Sequence, residues 1–374
     1  MKIGILTYQY AMNYGAVLQV FALKSYLSDC GYEVHIINYD SSYLYAQNRS
    51  LKAKVVSATW NFVKSFMGAK KKKKRFDSFR RDKLYLANDV MSEKKSLEEY
   101  LECNHFDAVI VGSDQVWNPE INGNDDVYYL NIANNIQKIS YAASFGVTYI
   151  SNESQEHLKE CLERFDAISV RENTGREIIA DMGLDSTVVL DPVFLPEKAM
   201  WEKIASELPL VKDPYILCYI LPGDNKVERK IETTARQLHI KTGKKVVFLG
   251  RKEYKRFSND GRDYVSASPE EFVNLFRYAD IVITNSFHGT AFSVIFEKCF
   301  CSIINKDFHG EKQLSSRLTD LLHDLNADNR LFSVNDDVSV PNEMDYSEIN
   351  GKLKVLKKKS EEFLDSALQE IGRE

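Results

Sequence analysis

Short aliphatic runs alternate with longer segments of helical periodicity along most of the chain, and the alternation occurs as two successive series. The first series predicts strands at 2–8, 33–39, 107–112, 138–145 and 167–171, with helices at 16–30, 151–164 and 174–182. Gly31 and Gly183 stand where helix C-terminal glycines belong. The second predicts strands at 215–221, 244–249, 280–284 and 301–304, separated by helices at 226–242, 269–278 and 289–297. Strand–helix–strand succession calls for parallel sheets with helices on both faces. The expected class is therefore α/β, with two Rossmann-like, doubly wound domains facing a cleft. The expected boundaries are 1–195 and 196–340, with the hinge between Asp191-Pro192 and Asp213-Pro214. A polar helical segment, 341–374, is expected to pack back across the first domain.

Composition narrows the function classes. The chain has 374 residues, 44% hydrophobic and 28% charged, which excludes a disordered or low-complexity protein. A formal charge of −5 argues against a dedicated nucleic-acid binder. The longest apolar runs are too short to cross a bilayer, and Met1 leads directly into a strand pattern with no cleavable signal, so a cytoplasmic location is expected. The six cysteines include no CxxC pair and read as free thiols; with no HExxH or paired spacing, no metal site is expected. One segment, about 53–83, departs from the pattern as an insertion. From 64 to 83 it holds ten Lys or Arg against two Asp, and an aromatic stretch precedes it. Residues 60–83 thus read either as a peripheral contact with the anionic inner leaflet of the membrane or as a solvated loop.

Chemistry-bearing residues fall at strand ends. Asn13, Tyr14 and Gly15 lie ahead of a helix whose first amides can face an anion, although a plain strand-to-helix turn fits equally. Neither GxGxxG nor GxxxxGK[ST] occurs. After a second strand come Ser113, Asp114 and Gln115, suited to gripping hydroxyls, and Trp117, either a sugar-stacking ring or a core residue. Ser144 ends a third strand. Arg171 ends a fourth, as a carboxylate or phosphate clamp or as a salt-bridge partner of Glu172 or Asp191. In the second series Ser286, His288 and Gly289 join a strand end to a helix start, and Phe308-His309-Gly310 repeats the tripeptide after the next strand, so His309 is a second candidate.

Taken in order, Asn13-Tyr14-Gly15-Ala16-Val17-Leu18-Gln19, Gly112-Ser113-Asp114-Gln115-Val116-Trp117-Asn118-Pro119, Ser140-Tyr141-Ala142-Ala143-Ser144-Phe145-Gly146, Ser169-Val170-Arg171-Glu172, Leu190-Asp191-Pro192-Val193 and Asn285-Ser286-Phe287-His288-Gly289 resemble the polysaccharide pyruvyl transferase family over roughly residues 1–325. The resemblance implies a GT-B-like arrangement of the two domains. It also implies transfer of pyruvate from phosphoenolpyruvate onto two sugar hydroxyls as a cyclic ketal, with release of phosphate. No cofactor beyond the phosphoenolpyruvate donor is implied. The acceptor would be a sugar, lipid-linked in a cell-surface polysaccharide precursor. By the same resemblance His288 matches the acid and Arg171 an anion-binding arginine, with His309 a weaker match. Relatives carry Arg-Leu-His where this chain has Ser286-Phe287-His288, so Arg317 or Arg251 is a candidate replacement for the missing arginine. A GT-B glycosyltransferase using a nucleotide sugar is the alternative, and a noncatalytic carbohydrate-binding protein a third class.

Overall fold

A computed structural model describes residues 1–40, 60–86, 90–132, 136–249, 266–305, 316–338, 340 and 343–369. Two all-parallel sheets organise them. The first contains β1 (Lys2–Leu6), β2 (Glu33–Ile36), β3 (Ala108–Asp114), β4 (Gln137–Ala143), β5 (Ala167–Val170) and β6 (Thr187–Val188), in the order β2-β1-β3-β4-β5-β6. The second contains β7 (Tyr215–Tyr219), β8 (Lys245–Leu249), β9 (Ile281–Thr284), β10 (Cys299–Ile304) and β11 (Leu331–Ser333), in the order β11-β10-β9-β7-β8. Each sheet reverses its winding between its first and third strands, β1/β3 and β7/β9. The strand C-termini there open the crevice in which such sheets bind ligands.

The helices are α1 (Tyr14–Asp29), α2 (Trp60–Phe79), α3 (Lys94–Asn104), α4 (Asn152–Leu162), α5 (Asn173–Asp181), α6 (Lys198–Ala205), α7 (Asn225–Thr242), α8 (Pro269–Tyr278), α9 (Phe287–Ile295), α10 (Ser316–Asp324) and α11 (Ser347–Gln369). The strand expected over 2–8 stops at Leu6 and the following helix starts at Tyr14, two residues before the expected 16. The reason is local. The Asn13 side chain accepts from Gly15 N at 2.9 Å, so Asn13 closes the turn as an N-cap.

One hydrophobic core runs through the seam between the two sheets. Tyr14 stacks on Phe272 of α8 at 4.8 Å and 21°, and its hydroxyl donates to the Ala267 carbonyl at 3.0 Å. Separate clusters fill the outer faces of each sheet. Helix α11 lies against the first sheet: Leu190 N donates to Ser360 Oγ at 2.9 Å, and Gln137 Nε2 to the Ala367 carbonyl at 3.1 Å.

Over its described part the basic segment is helical. Its second half is a helix fastened to the body. Phe76 and Phe79 are buried in the central core, and the Lys72 ammonium sits 4.6 Å over the Tyr14 ring. Arg75 pairs with Glu271 of α8 and donates to the Ser266 carbonyl at 3.1 Å. The buried Arg80 donates to the carbonyls of Gln9 (2.6 Å) and Ala11 (2.8 Å) in the β1–α1 turn. Lys70, Lys71, Lys73 and Lys74 remain exposed, while residues 53–59 lie outside the described residues. Among the described residues no helix is long and apolar enough to cross a membrane.

Candidate active site

The two winding reversals face one another, and the residues at their strand ends meet. After β5, Arg171 N is bonded to the Ala143 carbonyl at 3.1 Å, which aims the side chain across the end of β4. Its guanidinium, 1% exposed, donates from Nη1 to Asp191 Oδ2 at 2.8 Å. The same carboxylate oxygen accepts from Ser113 Oγ at 3.0 Å, and Oδ1 accepts from Val193 N at 3.1 Å. Burial alone would raise the Asp191 carboxyl, but His288 and Arg171 overcome it and hold the group well below the usual carboxylate range. Among the described residues Arg171 Nε and Nη2 have no hydrogen-bond partner; Glu172 Oε2 and Asp114 Oδ1 stand 3.8 and 3.9 Å away. Burial opposes the Arg171 cation, yet Asp191, Asp114 and Glu172 outweigh it and raise its pKa further.

The second domain supplies the imidazole. Ser286 caps α9 by accepting from Gly289 N at 3.3 Å, so the helix starts with His288 in its first turn. Gly289 packs where a Cβ would lie 2.4 Å from Thr284 Oγ1. His288 Nε2 faces Asp191 Oδ2 at 3.5 Å without a formed hydrogen bond. The other edge of the ring lies on α1, where a Cβ at Gly15 would fall 2.0 Å from His288 Nδ1. Gly15 therefore leaves room for this imidazole, and no other residue type fits beneath it without displacing the ring. Next to His288, the Phe287 ring lies 4.8 Å under the Arg171 guanidinium.

A second arginine comes from α10. With its amide oxygen turned toward Arg317, Gln115 accepts from Nη1 and Nη2 at 3.2 and 3.1 Å. Gly146 makes room for that amide: a Cβ there would lie 2.0 Å from the terminal amide atom turned away from Arg317. Burial and the nearby Arg171 bring the Arg317 pKa down to about 10. One turn on, Asp320 accepts from Asn173 N at 2.9 Å, so α10 bridges to the first domain.

The structure thus joins Asn13, Gly15, Ser113, Asp114, Gln115, Arg171, His288 and Arg317 in one region. Several sequence candidates take other roles. Trp117 is fully buried, stacked on Tyr129 and donating from Nε1 to the Tyr128 carbonyl at 2.9 Å, so it is core and offers no sugar platform. Tyr14 belongs to the interdomain core, Ser286 and Gly289 shape the start of α9, and Ser144 donates to Glu172 Oε1 at 2.7 Å. His309 and Arg251 lie outside the described residues. Sequence reasoning left Asp191, Glu172, Phe287 and Gln19 out of the site. Gln19 takes Ser113 N at 3.2 Å and gives Nε2 to Thr7 Oγ1 at 3.0 Å. All four sit inside the short motifs quoted above, which was the available signal.

Two facing parallel-sheet domains with polar strand ends converging between them define the GT-B fold of glycosyltransferases and sugar-nucleotide epimerases. The S. aureus MnaA–UDP co-structure matches with a TM-score of 0.51 at 11% identity, covering 97% of this chain and 88% of that one. A glycosyltransferase from Rickettsia africae ESF-5 matches with a TM-score of 0.49 at 12% identity, covering 98% and 93%. No curated protein matches the sequence. The family model of the polysaccharide pyruvyl transferases matches residues 13–307, and the chain belongs to that transferase family.

Proposed function

We propose that the chain transfers pyruvate from phosphoenolpyruvate onto two hydroxyls of a sugar in a cell-surface polysaccharide precursor. The observation that carries this reading is a buried arginine with two guanidinium nitrogens unpartnered among the described residues, set beside a buried imidazole at a helix start. A donor bearing a carboxylate and a phosphate suits that combination, and Arg317 adds a second cation from the opposite domain. His288 Nε2 is turned to Asp191, so Nδ1, the nitrogen on the Gly15 edge of the ring, is the one left to hand a proton to the donor methylene carbon. Protonation makes C2 electrophilic. The first sugar hydroxyl adds there and gives its proton to Asp114, the more open carboxylate of the group. The second hydroxyl then forms its bond to C2 as the C2–O bond to phosphate breaks, and its proton leaves with the phosphate. No cofactor enters this scheme.

The reading puts the enzyme in the cytoplasm, with a lipid-linked acceptor at the inner leaflet facing the exposed lysines of α2. The nucleotide-sugar alternative rests on fold alone. Phosphate release from phosphoenolpyruvate with a panel of reducing-end-blocked sugars tests the proposal. His288→Ala is expected to lower turnover by about 100-fold or more; turnover equal to wild type would remove His288 from the chemistry.

A further inference from the structure

A second cluster of chemically distinct donors lies outside this network. Helix α4 carries His157 and Cys161 four residues apart, hence on one face. Asp126 opens the one-turn helix Asp126–Tyr129 and comes over to meet them. His157 Nε2 is 2.8 Å from Asp126 Oδ1 and 3.8 Å from Cys161 Sγ, and the three donor atoms all lie within 4.8 Å of one another. A tetrahedral zinc ion, with metal–nitrogen and metal–sulfur bonds of about 2.0 and 2.3 Å, spaces nitrogen from sulfur by about 3.5 Å and nitrogen from oxygen by about 3.3 Å. Movements of a few tenths of an ångström along these two spacings bring the pairs into register.

The surroundings support the first ligands. Asp126 Oδ2 accepts from Asn131 Nδ2 at 2.9 Å, and Asn131 Oδ1 accepts from Arg164 Nη1 at 2.6 Å, so the carboxylate is held from behind. Cys161 is buried and His157 exposed, which gives an entry path and leaves one side open to water. The charges acting on the thiol are mixed: Asp126 and Glu160 on one side, Arg164 and Lys94 on the other. None of the three donors shares a hydrogen bond or ion pair with Arg171, Asp191 or His288 among the described residues.

We propose that Asp126, His157 and Cys161 form a site for a borderline divalent cation of the zinc type, with water as the fourth ligand. Binding moves the imidazole proton from Nε2 to Nδ1 and expels the thiol proton. A ligating sulfur is a thiolate, so the thiol proton leaves as the cation binds. The ion then pins the turn after β3 to α4.

Cobalt(II) titration of the reduced, full-length protein tests this independently of any transferase activity. The expected result is one equivalent of a near-ultraviolet thiolate-to-cobalt band, displaced by one equivalent of zinc. The band should be lost in C161S and require at least tenfold more cobalt in H157N, a substitution at an exposed position that spares the core. Absence of the band in the wild type overturns the proposal. So does a band that survives in C161S, which would come from the exposed Cys30 or Cys103, or one indifferent to H157N.

Discussion

At the scale of single residues, the site rests on Gly15, His288, Asp191 and Arg171. In the first turn of α1 an alanine would ordinarily be the better helix former. Here its methyl would occupy the Nδ1 edge of the His288 ring, 2.0 Å away. Gly15→Ala is therefore expected to keep the fold, judged by circular dichroism, while lowering turnover at least tenfold; unchanged turnover would show that this edge is not used. Asp191 makes a pH prediction. Its folded pKa lies below the unfolded value of about 3.9, so its ionisation stabilises the fold above that value and the contribution is lost as pH falls through the folded pKa. Asp191→Asn leaves the Arg171 cation without its main partner and is expected to cost about 3–5 kcal/mol at neutral pH. The gap from wild type in denaturant melts should narrow below about pH 4; a gap constant down to pH 2 would contradict this assignment. Much of this site was legible, because Asn13, Ser113, Arg171 and His288 all stand where an apolar strand turns polar. The contact of Gly15 with His288 was not, since no local pattern reports which residues of two domains touch. Trp117 misled for a related reason: an aromatic beside a polar strand end can face the crevice or the core, and only the partners Tyr128 and Tyr129 decide it.

At the scale of elements, α2 changes the meaning of the basic segment. The run 70–75 is followed by a short apolar stripe, Phe76 and Phe79, spaced three apart and buried in the core. Strand and helix periodicity elsewhere was strong because apolar residues recur many times per element. In the basic half of α2 a single pair of phenylalanines, Phe76 and Phe79, among lysines gave too little contrast. The helix and the turn that follows it tie Glu271 of the second domain, through Arg75, and the Gln9 and Ala11 carbonyls of the first, through Arg80, into one brace beside the β1–α1 turn. A double-mutant cycle on Arg75→Ala and Glu271→Ala is expected to return a coupling on the order of 0.5–1 kcal/mol, the range for a partly exposed ion pair. Additivity of the two substitutions would show that the pair holds nothing together. Neutralising the exposed Lys70, Lys71, Lys73 and Lys74 leaves that brace intact and is expected to lower sedimentation with anionic vesicles. Equal sedimentation of both proteins would leave these lysines as a solvated face.

At the scale of the whole molecule, two sheets with the same winding set their reversals opposite one another, and the site is assembled only where both contribute. Arg171 and Asp191 come from the first domain, His288, Phe287 and Arg317 from the second. The bridging contacts of α10, through Asp320 and Arg317, and of α11, through Ser360, keep those contributions in register. On the proposed function, this assembled site holds an anionic enolpyruvyl donor. Calorimetric titration of phosphoenolpyruvate into the purified full-length protein, beside Arg171→Ala and with UDP as competitor, tests it most directly. The expected result is saturable binding in the wild type, weakened by more than about 1 kcal/mol in Arg171→Ala, as for a lost charged hydrogen bond, and unaffected by UDP. Phosphoenolpyruvate binding that is equal in both proteins, or UDP binding with none of phosphoenolpyruvate, would contradict it.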